Sequence, residues 1–384
     1  MRIGILTHYY KSMNYGGNLQ AYAFVKELNR MGFVAEQLCY DMAKSDNDCL
    51  KETFYNRIRR KKIREIIVYL LKKMPISGYL VKRKLHEHSL KRERALLSFN
   101  RNNIFHSLEV YTDQNISEAN EKYDAFISGS DQVWNLNWCY EPFFLTFAAQ
   151  GKKKISYAAS MAMDSITQEQ AERLKNDLAD FNAISVREKT AADLIQPLVS
   201  PQISVTLDPT LLLERDDWDQ ICADRIIDKP YVFCYFLGNN LHERKLAKAF
   251  AKKHGYQLVY VPMSDYDVLR KWGDQKIVAS PEQFVSLIKY ADYIFTDSFH
   301  AVVFSKIYEK QYFVFQRSTK HEMSSRITDI TELFGTQERF CDDAGKENLS
   351  YIESLSAIDY SKPNEKFEKA KDESIQFLKD NLKN

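Results

Sequence analysis

An α/β protein of two Rossmann-like domains facing a cleft, with a basic helical insertion in the first domain, is what this sequence predicts. Three observations carry that expectation. The chain has 384 residues, and at roughly 100–200 residues per domain two domains are the natural number. Short apolar runs alternate with segments of helical periodicity through both halves, the pattern of parallel sheets covered by helices. Polar and glycine-bearing segments fall directly after the apolar runs, where open α/β sheets place their ligand sites.

The elements follow in order. Arg2 to Thr7 reads as a strand, His8 to Asn18 as a loop, and Leu19 to Met31 as an amphipathic helix that Gly32 stops. Val34 to Tyr40 is a second strand, completing a βαβ opening. From Arg57 to Phe99 the chain is helical and basic. Ile63, Ile66, Ile67, Leu70, Leu71 and Met74 repeat at helical spacing, Pro75 and Gly78 break the run, and a second helix starts near Tyr79. Strands resume at Ala125 to Ile127 and Lys154 to Ala158. Ile166 to Phe181 is a helix, Ile184 to Val186 a short buried strand, and Glu188 to Leu194 a helix. The proline-bearing segment from Pro197 to Pro209, with a strand at Ser204 to Leu207, marks a boundary near residues 200–225, giving domains of 1–205 and 206–384.

The second unit repeats the alternation. Tyr231 to Phe236 and Leu258 to Val261 are strands flanking a helix, Leu241 to His254. Ser280-Pro281-Glu282-Gln283 is a helix start, with Ser as N-cap, Pro at N1 and Gln closing a capping box. Tyr293 to Phe295 is a strand, Thr296 to Ala301 a turn, and Val302 to Tyr308 an amphipathic run. Tyr312 to Phe315 is a further strand, and Asn364 to Leu382 a polar helix expected to pack back across the domains.

Composition narrows the function. The net charge is only +2, yet residues 51–101 hold 16 Lys and Arg against 4 Glu. Six cysteines are scattered without CxxC or Cys/His metal spacing, which points to a reducing cytosol and no structural zinc; Cys39 and Cys234 read as core residues. No stretch approaches the ~20 apolar residues of a membrane span, and the start is too soon interrupted for a signal peptide. The expected location is the cytoplasm. The basic block has two readings, an amphipathic surface resting on the anionic inner face of the membrane and a solvated helical hairpin. Nucleic-acid binding is disfavoured, because no nucleic-acid motif accompanies the block.

Four strand-end turns supply the chemistry: Asn14, Gly16 and Gly17; Ser128, Gly129, Ser130 and Asp131; Arg187; and Thr296 to Ala301, with Ser298 and His300. Backbone amides opened by glycine bind oxyanions, and arginine grips carboxylate or phosphate with two parallel bonds. Arg187 follows a buried strand, so it must reach solvent, a carboxylate such as Glu188 or Asp193, or an anionic ligand. Ser324, Ser325 and Arg326 stand before another helical run, a fair phosphate position. Each turn taken singly also fits an ordinary N-cap or tight turn. Trp134 fits a sugar platform or, better, the core. Neither GxGxxG nor a Walker A sequence is present, so nicotinamide and nucleotide-hydrolysing enzymes are unsupported.

Taken together these pieces resemble the polysaccharide pyruvyl transferases. The matching segments are NYGGNLQAYAF from Asn14, YDAFISGSDQVW from Tyr123, KISYAAS from Lys154, SVREKTAADL from Ser185, VTLDPTLLL from Val205, ADYIFTDSFHAVVFS from Ala291 and SSRITDI from Ser324. The resemblance implies a GT-B-like fold with its active site in the cleft. It implies phosphoenolpyruvate as donor, no other cofactor and no metal. The implied product is a pyruvate ketal across two hydroxyls of a sugar, in exopolysaccharide or capsule synthesis, the acceptor being lipid-linked or nucleotide-linked. It places the catalytic arginine at Arg187 and the catalytic histidine at His300; the anionic donor gives Arg326, at its helix start, an assisting role. Two other functions compete: a GT-B glycosyltransferase using a nucleotide sugar, and a non-catalytic glycan-binding or scaffold protein.

Overall fold

The computed structural model describes residues 1–42, 75–137, 141–317, 325–342 and 346–383. The helical run expected at Ile63 to Met74 and the polar stretch from Ser318 to Ser324 lie outside the described residues.

Two parallel sheets organise the chain. The first has seven strands: β1 (Arg2–Leu6), β2 (Val34–Tyr40), β3 (His106–Tyr111), β4 (Ala125–Ser128), β5 (Lys153–Ala159), β6 (Ala183–Val186) and β7 (Ser204–Val205). Their order is β3-β2-β1-β4-β5-β6-β7. The second has β8 (Tyr231–Tyr235), β9 (Gln257–Tyr260), β10 (Gln275–Lys276), β11 (Tyr293–Thr296), β12 (Gln311–Phe315) and β13 (Phe340–Cys341), ordered β10-β9-β8-β11-β12-β13. In both all-parallel sheets the strand order reverses once, between β1 and β4 and between β8 and β11. Those are the points where doubly wound sheets open a ligand crevice beyond the strand carboxyl ends.

The helices are α1 (Tyr15–Arg30), α2 (Pro75–Asn103), α3 (Gln168–Asp177), α4 (Lys189–Ile195), α5 (Arg215–Asp219), α6 (Leu241–His254), α7 (Asp265–Leu269), α8 (Pro281–Lys289), α9 (Phe299–Ile307), α10 (Ser325–Phe334), α11 (Leu349–Ser354) and α12 (Glu365–Leu382). Their ends follow local chemistry. Ser280 caps α8 with the expected box, its side chain accepting from Gln283 N and Gln283 answering at the cap. Gly255 closes α6 in the left-handed conformation, φ 74°.

The domains meet through apolar side chains. Tyr15, Leu19 and Tyr22 of α1 join Trp218, Phe233, Phe284 and Phe304 in one buried cluster. The C-terminal helix α12 returns to the first sheet, where Leu378 and Leu382 pack with Ile3, Ile5 and Ala125, and Leu207 N donates to Ser374 Oγ at 2.9 Å. Helix α9 is buried from Phe299 to Ser305, because both domains cover it. Cys39 and Cys234 are buried as expected.

Helix α2 departs from the sequence expectation. Pro75 opens it and Gly78 lies within it, since proline is tolerated in a first helical turn. Strand β3 is also unforeseen. Among the described residues it pairs with β2 alone, and Leu108 is 94% exposed, so it lacks the alternating pattern that marks a half-buried strand. Trp134 is a core residue, its Nε1 donating to Phe143 O at 3.0 Å and its ring stacked on Phe144.

Candidate active site

The β1–α1 turn is shorter than its sequence suggests. Asn14 caps α1, its Oδ1 accepting from Gly16 N at 3.0 Å, so Gly16 and Gly17 lie inside the first helical turn. Their hydrogens allow close approach from elsewhere in the cleft. A Cβ on Gly16 would stand 2.0 Å from His300 Nδ1, and one on Gly17 would stand 2.9 Å from His8 O.

The β4 turn divides its residues between scaffold and site. Ser128 Oγ donates to Phe143 O at 2.5 Å and is fully buried. Gly129 has φ 114°, and a Cβ there would lie 2.2 Å from Tyr157 O, so only glycine fits. Ser130 Oγ lies 2.9 Å from Ala158 O and 3.1 Å from Asp208 Oδ2. Asp131 carries its carboxylate to Arg187, Oδ1 to Nη2 at 3.5 Å.

Arg187 stands at the end of β6 with its guanidinium 3% exposed. Nη1 donates to Asp208 Oδ2 at 2.8 Å, and Nε lies 3.4 Å from Glu188 Oε1. The guanidinium covers the Phe299 ring, 4.4 Å from its centroid. Burial works against its charge, but Glu188, Asp208 and Asp131 more than offset that, so its proton is held more tightly than in free arginine.

Asp208 is the hub. It caps the single turn Pro209–Leu211, its Oδ1 accepting from Thr210 N at 3.0 Å and from Thr210 Oγ1 at 2.6 Å. Its Oδ2 faces Arg187, Ser130 and, at 3.5 Å, His300 Nε2. Burial alone would raise this carboxyl; the facing His300 and Arg187 outweigh it and hold the group well below the ordinary carboxylate range. Asp131 is lowered in the same way: burial opposes its charge, and Arg187, His300 and His8 prevail.

His300 reaches the hub from the carboxyl end of β11 in the second sheet, on the first turn of α9. Ser298, its neighbour, is buried, with its N–H donating to Thr296 Oγ1 at 3.0 Å and its side chain making no capping bond. Asp297 ties the second sheet together, accepting from Leu237 N at 2.7 Å and Gly238 N at 2.6 Å. Arg326 follows Ser325 at the start of α10. The Gln132 amide, oriented with its oxygen toward Arg326, accepts from Nη1 at 2.7 Å and Nη2 at 3.0 Å. Burial first, then the neighbouring Arg187, push the Arg326 guanidinium down to about 10.

Arg187, Asp208, Phe299 and Arg326 line one cavity of about 210 Å3 between the domains. Within this group, Arg187 Nη2 and Arg326 Nε are buried without a hydrogen-bond partner. Buried donors in that state are suited to an anion. Among the described residues no cluster of His, Cys, Asp and Glu is arranged to hold a metal ion.

A family model described as Polysaccharide pyruvyl transferase matches residues 14–319. The chain belongs to that family. No curated protein matches it. Among solved structures, UDP-GlcNAc 2-epimerase from Neisseria meningitidis bound to UDP-GlcNAc is similar at 10% identity and TM-score 0.52, covering 99% of this chain and 100% of that one. MnaA of S. aureus in its co-structure with UDP is similar at 12% identity and TM-score 0.51, covering 99% and 96%. A putative UDP-N-acetylglucosamine 2-epimerase from Listeria monocytogenes has 10% identity and TM-score 0.50, covering 100% and 96%. These likenesses show the fold, two Rossmann-like domains in the GT-B arrangement.

Placed on this pyruvyl-transferase-family fold, the residues singled out from sequence separate into two groups. Gly16, Ser130, Asp131, Arg187, His300 and Arg326 converge. Asn14, Ser128 and Gly129 shape the turns beneath them, and Gly17 opens onto His8. Ser325 begins the helix that carries Arg326, and Ser298 stands behind His300. Asp208 was not foreseen as a site residue. Its signal was the Asp-Pro-Thr sequence after a short strand, an N-cap pattern that does not reveal which cation the second oxygen meets. No helix among the described residues is long and apolar enough to cross a membrane.

Proposed function

We propose that this protein transfers the pyruvyl group of phosphoenolpyruvate onto two hydroxyls of a sugar, forming a pyruvate ketal and releasing phosphate. The observation that carries this reading is the pair of buried guanidinium nitrogens that make no hydrogen bond, Arg187 Nη2, which faces Asp131 Oδ1 at 3.5 Å, and Arg326 Nε, in a cavity whose Asp208 also faces the His300 imidazole at 3.5 Å. A three-carbon donor with a carboxylate and a phosphate needs two such donors and a proton carrier.

In the proposed sequence His300 delivers a proton to the methylene carbon of the donor, leaving an oxocarbenium-like centre. A sugar hydroxyl adds to that centre and gives its proton to the imidazole. The C–O bond to phosphate breaks and phosphate departs toward Arg187 and Arg326, accepting the proton of the second hydroxyl as that hydroxyl closes the ring. Imidazole suits both proton steps near neutral pH. Asp208 Oδ2 faces the ring, 3.5 Å from Nε2. Preorganised cations stabilise the negative charge that develops on the leaving group. Exopolysaccharide or capsule precursors are the proposed acceptors.

The direct test is phosphate release from phosphoenolpyruvate in the presence of a panel of glycosides and lipid- or nucleotide-linked sugars. Acceptor-dependent release supports the reading. A protein that binds sugar nucleotides, transfers their sugar and ignores phosphoenolpyruvate is instead a glycosyltransferase.

A further inference from the structure

Helix α2 belongs to the basic segment, yet one of its faces is not solvated. Val81, Leu85, His88, Arg92, Leu96 and Phe99 recur every three or four residues and are at least partly buried, whereas Lys82, Arg83, Lys84 and Lys91 are exposed. That face packs on α1 of the first domain and on α7 and α8 of the second. Two positions of an apolar stripe are therefore taken by a cation and an imidazole, both aimed between the domains.

Arg92 donates through Nη2 to Met13 O and lies over the Tyr15 ring, 5.5 Å from its centroid. Its Nε is buried with no hydrogen-bond partner, as is the phenol oxygen of Tyr235, whose ring meets Tyr15 at 5.9 Å. His88 Nε2 is likewise buried without a partner. Burial, then Arg92 and Lys276, lower the His88 imidazole to about 4, keeping it neutral and able to hydrogen-bond. Lys276 is also lowered, by burial and then by Lys84, with Lys271 adding to the repulsion. The acidic neighbour, Asp267, is engaged by Arg244 through two bonds of 2.8 Å. The junction is thus short of negative charge.

Tyr15 connects this junction to the site, because the next residue, Gly16, touches His300. We propose that Arg92, with His88 beside it, is a phosphate-recognising subsite for the acceptor. The sugar lies at His300 and the diphosphate of its carrier lies at Arg92. This rests on the reading that the acceptor is a sugar bound in the cleft. The donor's own anionic groups have Arg187 Nη2 and Arg326 Nε, in the cavity lined by Asp208 and Phe299. The basic segment is then, in this described part, a wall of the substrate groove that selects charged acceptors.

Inorganic pyrophosphate is the first probe, measured by calorimetry on the full chain, so that this result does not depend on turnover. The wild type binds it, Arg92→Gln weakens binding about tenfold or more, and Arg92→Lys recovers part of the loss, since charge remains but the planar fork is gone. Lys82→Ala, on the exposed face, binds as the wild type does. Absent binding by the wild type, or equal binding by Arg92→Gln, overturns the subsite. A nucleoside-diphosphate sugar and a polyprenyl-diphosphate sugar in detergent then distinguish the carriers. A raised KM in Arg92→Gln with either one or both supports the proposal and names the carrier; an unchanged KM with both overturns it. Loss of phosphoenolpyruvate turnover by the wild type with pyrophosphate binding intact refutes the reaction and leaves the anion site standing.

Discussion

Gly16 and His300 touch across the domain boundary: a Cβ on the glycine would lie 2.0 Å from the imidazole Nδ1. Helical backbone at this position accepts alanine, which favours a helix over glycine by about 1 kcal/mol. The three atoms nearest to such a methyl group all belong to the ring opposite, at 2.0–2.6 Å. Gly16→Ala should therefore displace His300, cut phosphate release about 100-fold or more, and leave a folded protein. Activity within about twofold of wild type would show that the ring is not positioned by this contact.

Arg187 is a buried cation among three carboxylates. Arg187→Ala strands those carboxylates together, so it should cost about 3–5 kcal/mol of stability as well as activity. Arg187→Lys separates the two effects. It keeps a charge but cannot offer Asp208, Glu188 and Asp131 a planar fork, so it should remain folded by denaturant titration and still lose turnover. A fully active Arg187→Lys would reduce the residue to a charge.

Glu243 reports a burial effect in the second domain. Burial first, then the facing Asp297 and Glu347, push its carboxyl up to about 9 from an ordinary value of 4.5. Between those values the folded chain keeps a proton that the unfolded chain releases, so stability falls as pH rises. Glu243→Gln keeps the shape without the proton. It should melt higher than wild type, with a gap that widens from about pH 5 to pH 8 and reaches on the order of 2 kcal/mol. A gap independent of pH would contradict this.

His8 has the opposite sign. Its ring packs edge-on against Phe143, and burial lowers it from 6.5 to about 4 although Asp131 pulls the other way. The unfolded chain gains a proton below 6.5 that the folded chain refuses until about 4, so this group lowers stability as pH falls through that window. Urea titrations at several pH values should show a flatter acid limb in His8→Asn. An identical limb would place the acid sensitivity elsewhere.

Much of the fold is legible because βαβ units write their period into the chain. Val34 to Tyr40 and Leu241 to His254 stand where their patterns place them. The first helix begins four residues earlier than its apolar pattern, because Asn14 caps it and the glycines are tolerated inside it. Arg187 and His300 stand out in sequence as a charge after a buried strand and an imidazole in a turn. Asp208 does not, because its partners come from the end of β6 and from α9, both distant in sequence. Arg92 and His88 resemble their solvated neighbours in a basic run. Only their register with Val81, Leu85 and Phe99 tells them apart, and only packing gives that register a meaning.

The most direct measurement is phosphate release from phosphoenolpyruvate by His300→Gln beside wild type, with a working acceptor and melting curves for both. The predicted result is a fall of about 10²–10⁴-fold with little change in melting temperature. Wild-type turnover in the variant would contradict the assignment of His300 as the proton carrier, and with it the role given to the cluster around Asp208.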